Sequence, residues 1–134
     1  MGYRSDVAYT IRFTDDHDTN NEQSFYTFLA EAKSNPKCQI ALAEVEIDHK
    51  NRAFYYSARD VKWYENYPDV MSHMALLHLA EDWAEEVRQG KLHCSIGSMF
   101  LRAGEETNDT EERYHGDYDH DWMHMSRQVI TDWS

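Results

Sequence analysis

The most constraining feature of the chain is the stretch from Pro68 to Gln89. Leu76, Ala80, Trp83 and Val87 recur along it at helical spacing, and Leu77 and Ala84 widen the stripe. A stripe of this kind predicts an amphipathic helix that must bury one face against another layer. Pro68 suits the first turn, where its missing N–H is no loss. Asp69 places negative charge beside the positive end of the helix dipole. Gly90 supplies a C-terminal stop.

The partner layer is legible as strands. Val7, Tyr9, Ile11 and Phe13 alternate with Ala8, Thr10 and Arg12, a period of two that predicts a half-buried strand. Phe25, Phe28, Leu29 and Ala32 predict a second helix over Glu22 to Lys33, which Ser34-Asn35-Pro36 ends. Cys38, Ile40 and Leu42 alternate, and Val45 and Ile47 follow after a phase slip, so a bulged strand is expected there. A turn at Asp48 to Asn51 joins it to an aromatic-rich strand over Ala53 to Ala58, extending through Val61 to Tyr64, as a hairpin. Ile96, Met99, Phe100 and Leu101 predict a further strand. Ala103 to Asp121 is acidic without apolar period, with a short helical turn expected at Thr110 to Tyr114. Trp122 to Ile130 alternates again as a final strand.

The expected order is therefore β-α-β-β-α-β-β. The fold class is α+β, with two helices on one face of an antiparallel sheet and the other face wet, in a ferredoxin-like variant. A length of 134 residues suits one domain, 1–134.

Charge narrows the partners. With 25 acidic and 13 basic residues the formal net charge is −12. Such a chain repels phosphate backbones, so direct nucleic-acid binding is not expected, and it attracts basic protein surfaces. Solubility alone is the plain alternative. Cys38 and Cys94 stand in no metal or redox spacing and are expected as small buried hydrophobes. Met1 to Arg12 lacks the apolar core of a signal peptide, and no run approaches the roughly 20 apolar residues of a membrane span, so a cytoplasmic protein without membrane contact is expected.

Four groups of residues carry candidate chemistry. Glu105, Glu106, Asp109, Glu111, Glu112, Asp117, Asp119 and Asp121 place eight carboxylates in seventeen residues, with Arg113 the single base. A dense negative stripe can imitate a phosphate backbone, and a solvated acidic loop is the plain alternative. Tyr114, Tyr118 and Trp122 would add aromatic anchors to that partner-binding stretch. His115, His120 and His124 with the neighbouring aspartates suit a divalent metal such as Zn²⁺, although their spacing matches no established ligand motif. Asp15, Asp16, His17 and Asp18 form a smaller cluster of the same kind. Cys94 beside His93 is poorly placed for nucleophilic catalysis, because strand neighbours point to opposite faces. No nucleophile elbow, phosphate-cradling glycine loop or dinucleotide fingerprint is present, so an enzyme is not the first expectation and no cofactor beyond a divalent metal is implied. Trp63, Tyr64 and Tyr67 are either interface anchors or, for Trp63, packing beneath the second helix.

Three stretches carry a resemblance: Met1-Gly2-Tyr3-Arg4-Ser5-Asp6-Val7; Asp60-Val61-Lys62-Trp63-Tyr64-Glu65-Asn66-Tyr67-Pro68-Asp69-Val70; and Phe100-Leu101-Arg102-Ala103-Gly104-Glu105-Glu106 through Glu111-Glu112 to Ser126-Arg127. Together they resemble a family of small acidic proteins of bacteriophages and prophages. The His-rich stretch Tyr118 to His124 departs from that pattern. The resemblance implies no catalytic residues. It implies a protein that acts in an infected bacterial host by binding a host protein with a basic surface. By analogy, the target is a nucleic-acid-handling or defence complex, as for anti-CRISPR-like inhibitors. A metal-binding protein or metal-dependent enzyme, and a virion structural or assembly protein, are the alternatives.

Overall fold

A computed structural model describes residues 3–13, 21–106 and 108–117. Along the chain run β1 (Ser5–Phe13), α1 (Asn21–Ser34), a 3-10 turn (Pro36–Cys38), α2 (Gln39–Glu44), β2 (Glu46–Asp48), β3 (Ala53–Val61), α3 (Pro68–Arg88), β4 (Ile96–Gly104) and β5 (Thr110–Gly116). The strands form one antiparallel sheet in the order β2-β3-β1-β4-β5, which makes the fold α+β. No helix among the described residues is long and apolar enough to cross a membrane.

The two apolar helical stripes meet the sheet in one core. Phe25, Phe28, Leu29 and Ala32 of α1 and Leu76, Leu77, Ala80, Trp83 and Ala84 of α3 cluster with Val7, Tyr9, Ile11, Phe13, Phe54 and Phe100. Phe13 is its aromatic centre, edge-on to Phe25 at 5.9 Å, Phe28 at 5.6 Å and Trp83 at 6.0 Å between ring centroids. Edge-to-face contact sets the positive ring edge against the negative ring face, and so fixes orientation as well as burying area. Trp83 retains a polar tie, its Nε1–H donating to Glu31 Oε2 on α1 at 3.0 Å.

Four expectations are corrected. Cys38 to Leu42 is helical rather than a strand. Asn35 Oδ1 accepts from Lys37 N–H at 3.0 Å and Pro36 presets φ, so the chain turns into a helix as soon as α1 ends. Cys38 and Ala41, three apart, point inward, while Ile40 is 44% exposed. Val45 is buried next to α2 and β2 keeps only Glu46–Asp48. The added α2 also breaks the expected element order.

Thr110 to Tyr114 is strand rather than a helical turn. It pairs with β4 from Ala103↔Thr110 to Gly97↔Gly116. A charged strand with no apolar period suits a sheet edge, where charges guard against further pairing.

The sheet face turned away from the helices is not wholly wet. Ala8 and Thr10 of β1 and their cross-strand partners Leu101 and Met99 of β4 are all buried, so the two strands are covered on both sides. The side chains there are small or apolar, as double burial requires. Finally, the strand expected over Trp122 to Ile130 lies outside the described residues, as does the cluster at Asp15 to Asp18.

Candidate functional site

Helix α3 carries a second stripe. Met71, Met74, Ala75 and His78 stand at i, i+3, i+4 and i+7, turned from the core stripe, and all four line a groove of about 1120 Å³. Pro36, Lys37 and Ile40 line it from the 3-10 turn and α2, Trp63, Tyr64, Glu65 and Pro68 from the β3–α3 connection and the start of α3, Ser5, Arg102, Glu111 and Arg113 from the sheet, and Tyr3 and Asp109 from beside it. Ile40 and Met71 are exposed apolar side chains at this groove, and Met71, at 57%, is the more exposed. Tyr67, beside Pro68 at the start of α3, is a third exposed apolar residue. A volume above the usual range for small-molecule sites and a lining that mixes exposed apolar side chains with charged ones suit a segment of another protein.

A polar network organises the sheet side. Arg102 Nη2 and Nη1 donate to Asp109 Oδ1 and Oδ2 at 2.8 and 3.2 Å, Nε donates to Glu111 Oε1 at 3.3 Å, and Nη1 to Ser5 Oγ at 3.3 Å. Tyr3 Oη donates to Asp109 Oδ2 at 2.5 Å and accepts from Glu106 N–H at 3.1 Å. Tyr3 N–H in turn donates to Tyr64 Oη. The bonds from Arg102, then from Tyr3, hold the Asp109 carboxyl down at about 2. Arg113 donates to both carboxylate oxygens of Glu81 on α3, at 3.0 and 2.7 Å. Such two-pronged pairs fix geometry as well as charge.

Strand alternation therefore sorts the acidic stretch. Glu111, Arg113 and His115 face α3, while Thr110, Glu112 and Tyr114 belong to the opposite face. Asp109 and Glu111 are occupied by Arg102, whereas Glu105 and Glu106 stand exposed in the β4–β5 turn. Asp117 lines a second, smaller depression with Glu81, Glu85 and His115. His115 Nδ1 lies 3.2 Å from Glu81 Oε2. Among the described residues no group of three or more His, Cys, Asp or Glu side chains could hold a metal ion. Tyr118, Asp119, His120, Asp121, Trp122 and His124 lie outside the described residues.

Both cysteines are free and buried, Cys38 in the 3-10 turn rather than a strand. Burial pushes both thiols up, which disfavours the thiolate a nucleophile needs. Trp63 packs beneath α3, one of the two roles expected of it. Its ring packs 6.1 Å from Phe100 and 5.8 Å from His73, and it lines the groove.

One constellation was missed in the sequence. His73, fully buried on α3, has Nδ1 2.6 Å from Tyr9 Oη and Nε2 2.9 Å from Glu44 Oε1 on α2. The line-up imitates a carboxylate–histidine–hydroxyl relay, yet Tyr9 is 2% exposed, so no substrate meets its hydroxyl. Burial raises Tyr9 well above its ordinary value and lifts Tyr56, whose tilted ring lies 4.0 Å from that of His73, to about 12. Both phenols keep their protons.

Compared with known protein families, with characterised proteins and with solved structures, the chain matches none.

Proposed function

We propose that this chain is a phage-type acidic binding protein that inhibits a nucleic-acid-handling or defence complex of a bacterial host. It would dock on a basic surface of its target through the α3 groove and the neighbouring carboxylates. The observation that carries the reading is the second stripe of α3. Met71, Met74, Ala75 and His78 line an open groove, Ile40 and Met71 stand exposed at it, and Tyr3 links it to the carboxylate-bearing turn at Glu105 and Glu106. Apolar anchors inside a charged surround are what a protein interface uses: the anchors supply affinity, and the carboxylates supply steering and orientation towards Lys and Arg. The net charge of −12 supports a basic partner and disfavours direct contact with nucleic acid. The ferredoxin-like interpretation of the fold belongs to the same proposal, supported by the antiparallel order β2-β3-β1-β4 with β5 added at the edge.

The test is an affinity capture from nuclease-treated bacterial lysate at low and moderate salt. Three proteins are compared: the native chain, Met71→Glu, and Glu105→Lys combined with Glu106→Lys. The expected result is one complex that both variants lose, that moderate salt weakens, and whose nucleic-acid activity the purified native chain suppresses. A complex captured equally by all three proteins would overturn the reading.

A further inference from the structure

We infer that the sheet face turned away from the helices is a docking site for the chain's own segment 118–134, which lies outside the described residues. The face itself calls for a cover. Leu101 is 3% exposed and Met99 1%, although both lie across the sheet from α1 and α3. Neither belongs to the core cluster that the helices close, and nor do their cross-strand neighbours Ala8 and Thr10. Ala8 and Thr10 are too small to shade a leucine and a methionine. On the β5 side Leu101 meets Glu112, which is itself exposed. The hydroxyl of Tyr114, opposite Met99, is closed off from solvent as well. An apolar sheet face this dry needs a second layer over it.

Every described helix, and the 3-10 turn, contributes to the core cluster on the other side of the sheet. Composition sorts the rest of the chain. The stretch 14–20 reads Thr-Asp-Asp-His-Asp-Thr-Asn and has no apolar side chain to offer. Met1 and Gly2 adjoin Tyr3, which is bonded to Asp109 and Tyr64 at the groove. The segment 118–134 holds Trp122, Met123, Met125, Val129, Ile130 and Trp133, enough apolar surface to cover Met99 and Leu101.

The strand register provides the route. Gly116, the last residue of β5, stands opposite Gly97, and Gly97 stands opposite Arg12. The chain therefore leaves the sheet at the end of a row in which Gly97 raises no side chain. Arg12 lies two strands away, about 10 Å across the sheet. Its guanidinium sits over the Tyr55 ring, 5.1 Å from the centroid, on the same face as Thr10. Five extended residues span at most about 17 Å, so the chain between Asp117 and Trp122 reaches the middle of the face. Asp119 and Asp121 fall within that span and carry the charge that complements Arg12. Met99 and Leu101 follow Gly97 along β4, where the apolar residues after Asp121 can cover them. Docked there, Tyr118, Asp119, Asp121 and Trp122 serve the chain's own sheet, and the α3 groove on the other side meets its partner without them.

The test attaches a nitroxide to the full chain carrying Ser126→Cys. Cys38 and Cys94 are buried, so the introduced thiol takes the label. Methionine methyl signals in the NMR spectrum then report nearness to the label, Met99 for the docking face and Met71 and Met74 for the groove. The Met99 signal is expected to be lost while those of Met71 and Met74 persist, at every protein concentration. Reduction of the nitroxide should restore Met99, which separates broadening from unfolding. Mixing nitroxide chains without isotope with isotope-labelled chains without nitroxide should leave Met99 intact. A Met99 signal that survives in the labelled chain would overturn the docking, and so would equal loss at Met71 and Met74. Loss of Met99 in the mixture would assign the face to a second copy of the chain and overturn it too.

Discussion

Asp109 grips Arg102 with both carboxylate oxygens, Oδ1 2.8 Å from Nη2 and Oδ2 3.2 Å from Nη1, and receives the Tyr3 hydroxyl at 2.5 Å as well. Two segments distant in sequence thereby meet at one carboxylate: the residue before β1 and the β4–β5 hairpin.

That meeting predicts an acid dependence. The folded Asp109 titrates at about 2, below its ordinary 3.8, so its contribution is present above about pH 4 and lost as pH falls towards 2. Thermal melts of the native chain and Asp109→Asn should differ most above pH 4 and converge near pH 2. An NMR titration placing the Asp109 midpoint at its ordinary value would refute the network.

The core and the groove should respond oppositely to truncation. Phe13→Ala removes the ring that Phe25, Phe28 and Trp83 share, and should cost about 3–5 kcal/mol in urea unfolding. Met71→Ala, at a side chain 57% exposed, should change stability by less than about 0.5 kcal/mol. A large loss at Met71 would mean that its side chain serves the fold rather than a surface.

Two glycines at positive φ should differ. At Gly90, φ +79°, an added methyl meets open space, and Ala should cost only the backbone conformation, about 1–2 kcal/mol. At Gly116, φ +70°, the methyl would also collide with the carbonyl oxygen of Ile96, so Gly116→Ala should lower the melting temperature further. Equal losses would mean that the β4–β5 approach at Gly116 is looser than described.

Ser72→Ala should remove the acceptor for the Ala41 amide at a buried position. The orphaned N–H predicts a loss of about 1–3 kcal/mol. Chemical denaturation measures it, and Ser72→Thr, which restores a hydroxyl, should recover part of it.

Much of the frame was legible because burial leaves a period. Phe25, Phe28, Leu29 and Ala32 marked α1, Leu76, Ala80 and Trp83 marked α3, and Val7 to Phe13 marked β1. The errors lie where the period is ambiguous or absent. Cys38, Ile40 and Leu42 alternate like a strand, but Cys38 and Ala41 are the pair that turns inward, and a stretch so short shows either period. β5 is charged because it is an edge, and charge without apolar period imitates a loop.

The site was legible in part for the same reason. Asp109 and Glu111 stood out by charge, but nothing local reveals that Arg102 neutralises both. The second stripe of α3, Met71, Met74, Ala75 and His78, went unread in the sequence because the core stripe alone accounted for the helix. The link from His73 to Tyr9 spans 64 positions, and only the folded sheet brings the two together.

The place of β1 has a consequence for how the protein is made. It precedes the other described strands along the chain, yet it lies between β3 and β4, with Ser5 opposite both Val61 and Gly104. A nascent chain therefore carries β1 without its β3 partner while about forty more residues are added, and without its β4 partner for about eighty. Until then Val7, Tyr9, Ile11 and Phe13 form a ribbon available to chaperones and to other copies of the chain. Yield in the cell should accordingly depend on the speed of translation and the supply of chaperones more steeply than the stability of the finished fold would suggest.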